Sequence, residues 1–494
     1  MTILNYLYGF LPHFLLENNR SVGSMTIRSG NFGQLQISFY VPASVKFMDN
    51  KKSLEEYRDD FPALKQLRNG KPPVYMDSAC TTLVPQQIID AINDYYTRYP
   101  GCSSGRSRHW FADEVNDRIE GNPDKGIKGS RCIVADFINA ASENEIIFTL
   151  NATHAINTVA LGFKFQPGDT VLITNMEHNS NLVPWLRLQK TGRIKLDYIV
   201  SNHEGIFDFD TFEEKLKNSR VRLVSMAYTA NSTGVSIPAK EIIKLAHFYG
   251  AKVLLDGAQA VPHKKVDAQD LDVDFLAFSM HKMCGPRGVG VLYGKKELLG
   301  STPQEENSGT DVIEPVFLGG GTVADVTYKD YSLLEPPKRF EAGIQNYPGQ
   351  IASGATIQYL QNIGMERIAA QETKLNSFLT KELIKRYGDT GWFRILGPRD
   401  AAQRGGILSF EVHRPNAVGI AAELSEKSNV MIRDGVFCAH AYFNEQFGQG
   451  WAHPRSHAEH RMIYRVSLYF YNTIEECRVF LETLDEIFKE RSYI

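Results

Sequence analysis

The chain has 494 residues, 43% apolar and 22% charged, with a net charge of −3 at pH 7. This is the balance of a soluble globular protein too long for one hydrophobic core, so two domains are expected. It carries no basic footprint for nucleic acid or an anionic membrane, and six cysteines without CxxC spacing argue against a zinc site or disulfide framework and for a reducing cytoplasm.

Residues 1–50 read as an extension of unassigned role. Their apolar stretch NYLYGFLPHFLL (5–16) is short for a membrane span, is interrupted by Gly9 and Pro12, and has no basic lead. Neither a membrane anchor nor a secretory signal is expected there. From Val74 the pattern alternates. Apolar or β-branched runs at 145–150, 170–174, 195–200, 221–228, 252–255 and 275–278 predict strands, and amphipathic segments at 155–163, 212–218 and 239–249 predict helices between them. Such alternation builds a mostly parallel sheet covered on both faces, with ligands at the carboxyl ends of its strands. Charged runs at 114–131 and 304–307 read as solvated helix face and loop. Helical patterns follow at 351–363 and 367–387. After a shorter α/β stretch, a last helix at 473–489 packs through Ile474, Val479, Phe480, Leu484 and Phe488.

Two strand ends carry chemistry. FLAFSMHK (275–282) is an apolar run ending in Ser279, His281 and Lys282, and LLDGAQAV (254–261) is another ending in Asp256, with Gln259 in the turn beyond. A lysine desolvated at a strand end has a lowered pKa, which frees its amine to hold an aldehyde cofactor. A carboxylate on a neighbouring strand end is what pyridoxal phosphate needs to keep its ring nitrogen protonated. A surface lysine and a turn-capping aspartate are the plain readings of each residue alone; the pair favours the cofactor.

With these pieces in order, the chain from Val74 onward resembles the class V aminotransferase-like pyridoxal phosphate enzymes, and within them the group II cysteine desulfurases. The likeness is carried by YMDSACTTLVP (75–85), NATHAIN (151–157), NMEHNSNLVPW (175–185), LLDGAQAV, FSMHKMCGPRGVGVLY (278–293), GGGT (319–322), RFEAG (339–343) and IRDGVFCA (432–439). It implies an aspartate aminotransferase-like, fold type I α/β architecture. A large cofactor domain over 74–343 would hold a mostly parallel seven-stranded sheet between helices. A smaller C-terminal α/β domain would span 344–494, with 51–73 packing on it.

The same resemblance implies pyridoxal 5'-phosphate bound as a Schiff base to Lys282. Asp256 would meet the ring nitrogen, Gln259 the ring hydroxyl, and His178 would stack on the ring and move a proton. Ala152, Thr153, Ser279 and His281 would hold the phosphate. Thr322 would reach the phosphate of a partner subunit's cofactor, which implies a homodimer. Asn231, Arg433 and Arg465 would bind substrate, a guanidinium fork suiting both oxygens of an α-carboxylate. Cys438 decides the reaction. In the desulfurases a loop cysteine takes the sulfur of bound L-cysteine, leaving alanine and a persulfide for a sulfur-acceptor protein, as in iron–sulfur cluster assembly. Arg433 nearby suits a thiolate nucleophile, whereas a packed thiol is the plain alternative. Aminotransferase, epimerase, selenocysteine lyase and C–S lyase chemistries share the framework without Cys438 as nucleophile.

Some features depart from the family pattern. His154 stands where many relatives carry an acid, and Arg106, Arg108 and His109 keep the basic character of an altered entry loop. No metal is expected: His453, His457 and His460, in an extra segment at 441–460, read as a polar lid. Cys80, Cys102 and Cys284 read as packing residues.

Overall fold

The structure, a computed structural model, describes the backbone of residues 22–28 and 34–40 and, with side chains, residues 52–103, 107–201, 204–300, 311–448 and 461–494. It divides into two compact units, Met1–Lys52 and Ser53–Ile494. In the first, strands Val22–Arg28 and Gln34–Tyr40 pair as an antiparallel hairpin. The apolar stretch at 5–16 lies outside the described residues, among which no helix is long and apolar enough to cross a membrane.

The second unit is organised on seven strands: β1 (Ile146–Thr149), β2 (Thr170–Thr174), β3 (Lys195–Ile199), β4 (Val221–Ala227), β5 (Lys252–Asp256), β6 (Phe275–Ser279) and β7 (Gly290–Gly294). Their order is β1-β7-β6-β5-β4-β2-β3, all parallel except β7, which runs against both neighbours. Successive side chains leave opposite faces of a strand, so each face needs its own cover. Val253 and Leu255 enter one apolar core and Leu254 the other. That double burial is why the central strands read as unbroken apolar runs. Helix α1 (Ala152–Gly162) follows β1 and α2 (Asn179–Lys190) follows β2. Helix α1 starts earlier than its apolar periodicity indicates because the Asn151 side chain caps it, accepting from His154 N at 2.9 Å.

A second, antiparallel sheet holds β8 (Phe393–Leu396), β9 (Ile407–His413), β10 (Arg433–Asp434) and β11 (Arg461–Ser467) in the order β8-β9-β11-β10. Helices Met365–Tyr387 and Ile474–Glu490 share its apolar core through Leu375, Leu379, Phe480 and Leu484. Val74–Tyr75 pairs in parallel with Val430–Met431, and Asp77 bridges to Ser467. A segment that precedes the large sheet in sequence thus pairs with elements that follow it.

One expectation needs correction in part. The run at 114–131 is exposed at 123–126 and at Lys128, but not at its end: Arg131 is 1% exposed and pairs with Glu120 (Nε–Oε2, 2.9 Å) and Glu341 (Nη1–Oε1, 2.7 Å). Glu341 Oε1 also accepts from Phe148 N at 2.8 Å, which ties β1 to the chain leaving the sheet. The extra segment begins as a helix, His440–Phe447, that buries Tyr442 and Phe443 beside Phe437. Its three histidines, and the run at 304–307, lie outside the described residues.

Candidate active site

Where the parallel strands of the large sheet end, a cavity of about 300 Å³ opens between β4, β5, β6, the start of α1 and α2, and the arginines of β10 and β11. It gathers Ala152, Thr153, His178, Asn231, Asp256, Gln259, Ser279, His281, Lys282, Arg433, Cys438 and Arg465 from across the chain. Thr322 is not among its lining residues. That hydroxyl is fully buried in the triple-glycine turn, donating to Gly319 O at 2.9 Å and accepting from Gly319 N at 3.1 Å. His154 lines a neighbouring cavity, its Nδ1 accepting from Leu150 N at 3.1 Å.

Asp256 is the last residue of β5, and its Oδ1 accepts from Ala258 N at 3.0 Å. Burial pushes its carboxyl up and pushes the Lys282 ammonium down, each partly opposed by the other's charge. Gln259 donates through Nε2 to Ala79 O at 2.7 Å, which leaves its Oε1 buried without a partner. His178 Nδ1 accepts from Ser180 N at 3.0 Å, so the ring proton sits on Nε2. Burial, with Lys282 and Arg465 adding, lowers this imidazole to about 3, and His281 falls to about 4 by burial and the same lysine. Both rings are neutral at pH 7. At the start of α1, Ser279 Oγ accepts from Ala152 N at 2.8 Å and the Thr153 and Ser180 hydroxyls meet at 2.7 Å. Hydroxyls at a helix N-terminus form a cradle for an anion.

On the other wall, Arg433 and Arg465 are direct cross-strand partners. Like charges so placed are destabilising unless negative charge is shared between them. Arg465 Nη2 meets Asp77 Oδ1 at 3.2 Å, and its Nη1 donates to Asn231 O at 3.2 Å. Arg433 Nη1 donates to the Cys80 sulfur at 2.8 Å. The expectation for Arg433 had been the sulfur of Cys438; its bonded sulfur is that of Cys80, because the residues after Asp77 lie along β11. Cys80 is thus a cavity residue rather than a packing one, and Cys102 is exposed; Cys284 is buried as expected. Cys438 and Phe437 both take left-handed backbone conformations, with φ of +58° and +48°. Their loop is held by Asn231 Nδ2 on Phe437 O (2.7 Å) and by Asn179 N on Cys438 O (2.7 Å).

Known proteins resemble this chain over most of its length. The family model described as aminotransferase class-V matches residues 74–480. The chain belongs to the class-V aminotransferases. Among curated members, a probable cysteine desulfurase of Pyrococcus abyssi is 36% identical, covering 88% of this chain and 98% of that one. The solved apo structure of a cysteine desulfurase from Thermococcus onnurineus NA1 is 34% identical with a TM-score of 0.75, covering 88% of this chain and 98% of its own. An Escherichia coli cysteine desulfurase carrying an S-sulfonic acid gives 28% identity and a TM-score of 0.74, covering 89% of this chain and 99% of its own.

In this class-V chain, sequence reasoning missed Asp77, Cys80, Ser180 and Phe437 as residues of the site. All four sit in or beside motifs that carried the resemblance, but none shows by periodicity that it faces a ligand. Glu177 was also passed over. It is 1% exposed and accepts from Thr174 Oγ1 (2.5 Å), Asn181 Nδ2 (2.7 Å) and Ala227 N (2.9 Å), locking the turn that presents His178.

Proposed function

We propose that this chain is a pyridoxal phosphate-dependent cysteine desulfurase, converting L-cysteine to L-alanine with a persulfide formed on Cys438. The observation that carries the reading is Cys438 itself, held on a doubly anchored loop in the wall of the cavity that Lys282 and Asp256 also line. The residues fit the cofactor on their own chemistry. Asp256 offers a buried carboxylate to a cationic ring nitrogen, and the unpartnered Gln259 Oε1 offers an acceptor to a ring hydroxyl. Ala152, Thr153, Ser279 and His281, with Ser180, suit a phosphate, and Lys282 suits the aldehyde. Pyridoxal phosphate, when bound, supplies an electron sink for charge developing beside the substrate amine.

The chain's own groups do the rest. Arg433 and Arg465 present a cationic wall to the substrate carboxylate, and Asn231 holds both the Cys438 loop and Arg465. His178, neutral and protonated on Nε2, is a proton donor that keeps no competing charge near Lys282. The Cys438 sulfur attacks the substrate sulfur, the carbon–sulfur bond breaks, and the carbon takes a proton to give alanine. The persulfide then passes to a sulfur-acceptor protein; iron–sulfur cluster assembly in the cytoplasm is the setting this reading favours. A homodimer completes it. Thr322, in the turn beside a second cavity of about 500 Å³, is the residue assigned to a partner's cofactor, and Phe317, Leu318 and Ile344 expose apolar surface at that cavity.

Incubation of the holoenzyme with L-cysteine, with and without reductant, tests the reaction. Alanine in every sample with sulfide only after reductant is expected; pyruvate would point to a C–S lyase instead. Cys438→Ser is expected to lose alanine formation from L-cysteine by at least about 100-fold. Retained turnover sinks the persulfide mechanism.

A further inference from the structure

The cavity holds two thiols, and the proposed reaction uses one. Cys80 stands near an acid and a base: its sulfur accepts from Arg433 Nη1 at 2.8 Å, and the carboxyl of Asp77, three residues back, faces Arg465. The backbone around it is fixed. Cys80 N donates to Asp77 O at 3.0 Å, Ala79 N to Ser467 Oγ at 3.0 Å, and Ala79 O accepts from Gln259 at 2.7 Å. Cys80 and Cys438 line the same cavity as Lys282 and are both half-buried. A packing cysteine needs none of this. A nucleophile needs a nearby proton acceptor and a positive group to steady charge building on sulfur; Asp77, whose backbone oxygen already meets Cys80 N, and Arg433 are those two groups.

Resting on the desulfurase reading above, we propose that Cys80 is a second sulfur carrier, which takes the outer sulfur from the Cys438 persulfide inside the cavity. The step balances without oxidant or reductant. Asp77 accepts the Cys80 proton, and the Cys80 sulfur attacks the terminal sulfur of Cys438–S–SH. The old S–S bond breaks as the new one forms, and Cys438 leaves as thiolate and recovers a proton. One thiol and one persulfide go in, and one thiol and one persulfide come out. Cys438 is then free for a second substrate molecule, so one chain stores two sulfur atoms rather than one.

The test is made on the holoenzyme with L-cysteine, without reductant or acceptor. The protein is quenched with an alkylating agent, and the peptides holding Cys80 and Cys438 are weighed by mass spectrometry. Persulfide on both peptides of the wild-type chain is expected, with none on either in Cys438→Ser. In Cys80→Ser and Cys80→Ala persulfide is expected on Cys438 alone, and sulfane sulfur per chain falls about two-fold, in line with one exchange site lost. Alanine formed with persulfide on Cys438 alone in the wild type overturns this inference and leaves the desulfurase reading standing. Persulfide on Cys80 in Cys438→Ser, or a Cys80–Cys438 disulfide with free sulfide, also overturns it, since each places the attack on a different sulfur. Absence of alanine in the wild type overturns the desulfurase reading itself.

Discussion

At the scale of single residues, Glu177 makes the sharpest electrostatic prediction. Burial outweighs the hydrogen bonds it accepts and pushes its carboxyl from 4.5 up to about 7, with Asp256 adding to the rise. A raised acid stabilises the fold below its unfolded value, and that contribution is lost as pH climbs to the folded value. Glu177→Gln, which cannot ionise, should therefore gain on the wild type between pH 4.5 and 7, by up to about 3 kcal/mol in denaturant melts, and then level off. A pH-independent difference would refute the buried acid. Arg465 makes a kinetic one. Its planar fork meets Asp77 and Asn231 at once, which a lysine cannot do. Arg465→Lys should raise KM for L-cysteine by about 10-fold or more while lowering kcat less, as loss of uniform binding does.

Elements show where the sequence was legible. Asp256, Gln259, Ser279 and Lys282 could be read because each ends an apolar strand or stands in the turn just beyond one, and the turn after a buried parallel strand is a place where ligands bind. Arg131 could not. Its partner Glu341 lies 210 residues away, and a charge in a charged run reads as solvated until the fold supplies that partner. The ladder of β1 depends on the pair, since Glu341 also takes the Phe148 N–H. Glu341→Ala should cost about 3–5 kcal/mol by urea unfolding, because it leaves a buried guanidinium short of charge. A change below about 1 kcal/mol would mean that Glu120 alone neutralises it. The Cys438 loop was legible as a motif but not as geometry: nothing local foretells that Asn231 and Asn179 fasten it from two different strand ends.

For the whole molecule, seven strands, their mostly parallel order and the covering helices followed from periodicity and from the resemblance. The pairing of Val74–Tyr75 with Val430–Met431 did not, since two-residue strands carry no pattern. Under the proposed homodimer, Phe317→Asp with Ile344→Asp should turn a dimer into a monomer in sedimentation at micromolar concentration, because both side chains are more than half exposed in the single chain. A wild-type protein that sediments as a monomer would remove the basis for assigning Thr322 to a partner's cofactor. The pairing of an early segment with late ones also has a consequence for synthesis. Asp77 and Cys80 leave the ribosome long before Arg465 and Arg433, their partners 388 and 353 residues on. The large sheet and its lysine are complete in sequence while the arginine wall is still unmade. A growing chain therefore holds no finished pocket in which a thiol can be charged with sulfur, and the reactive chemistry waits for the last strand to arrive.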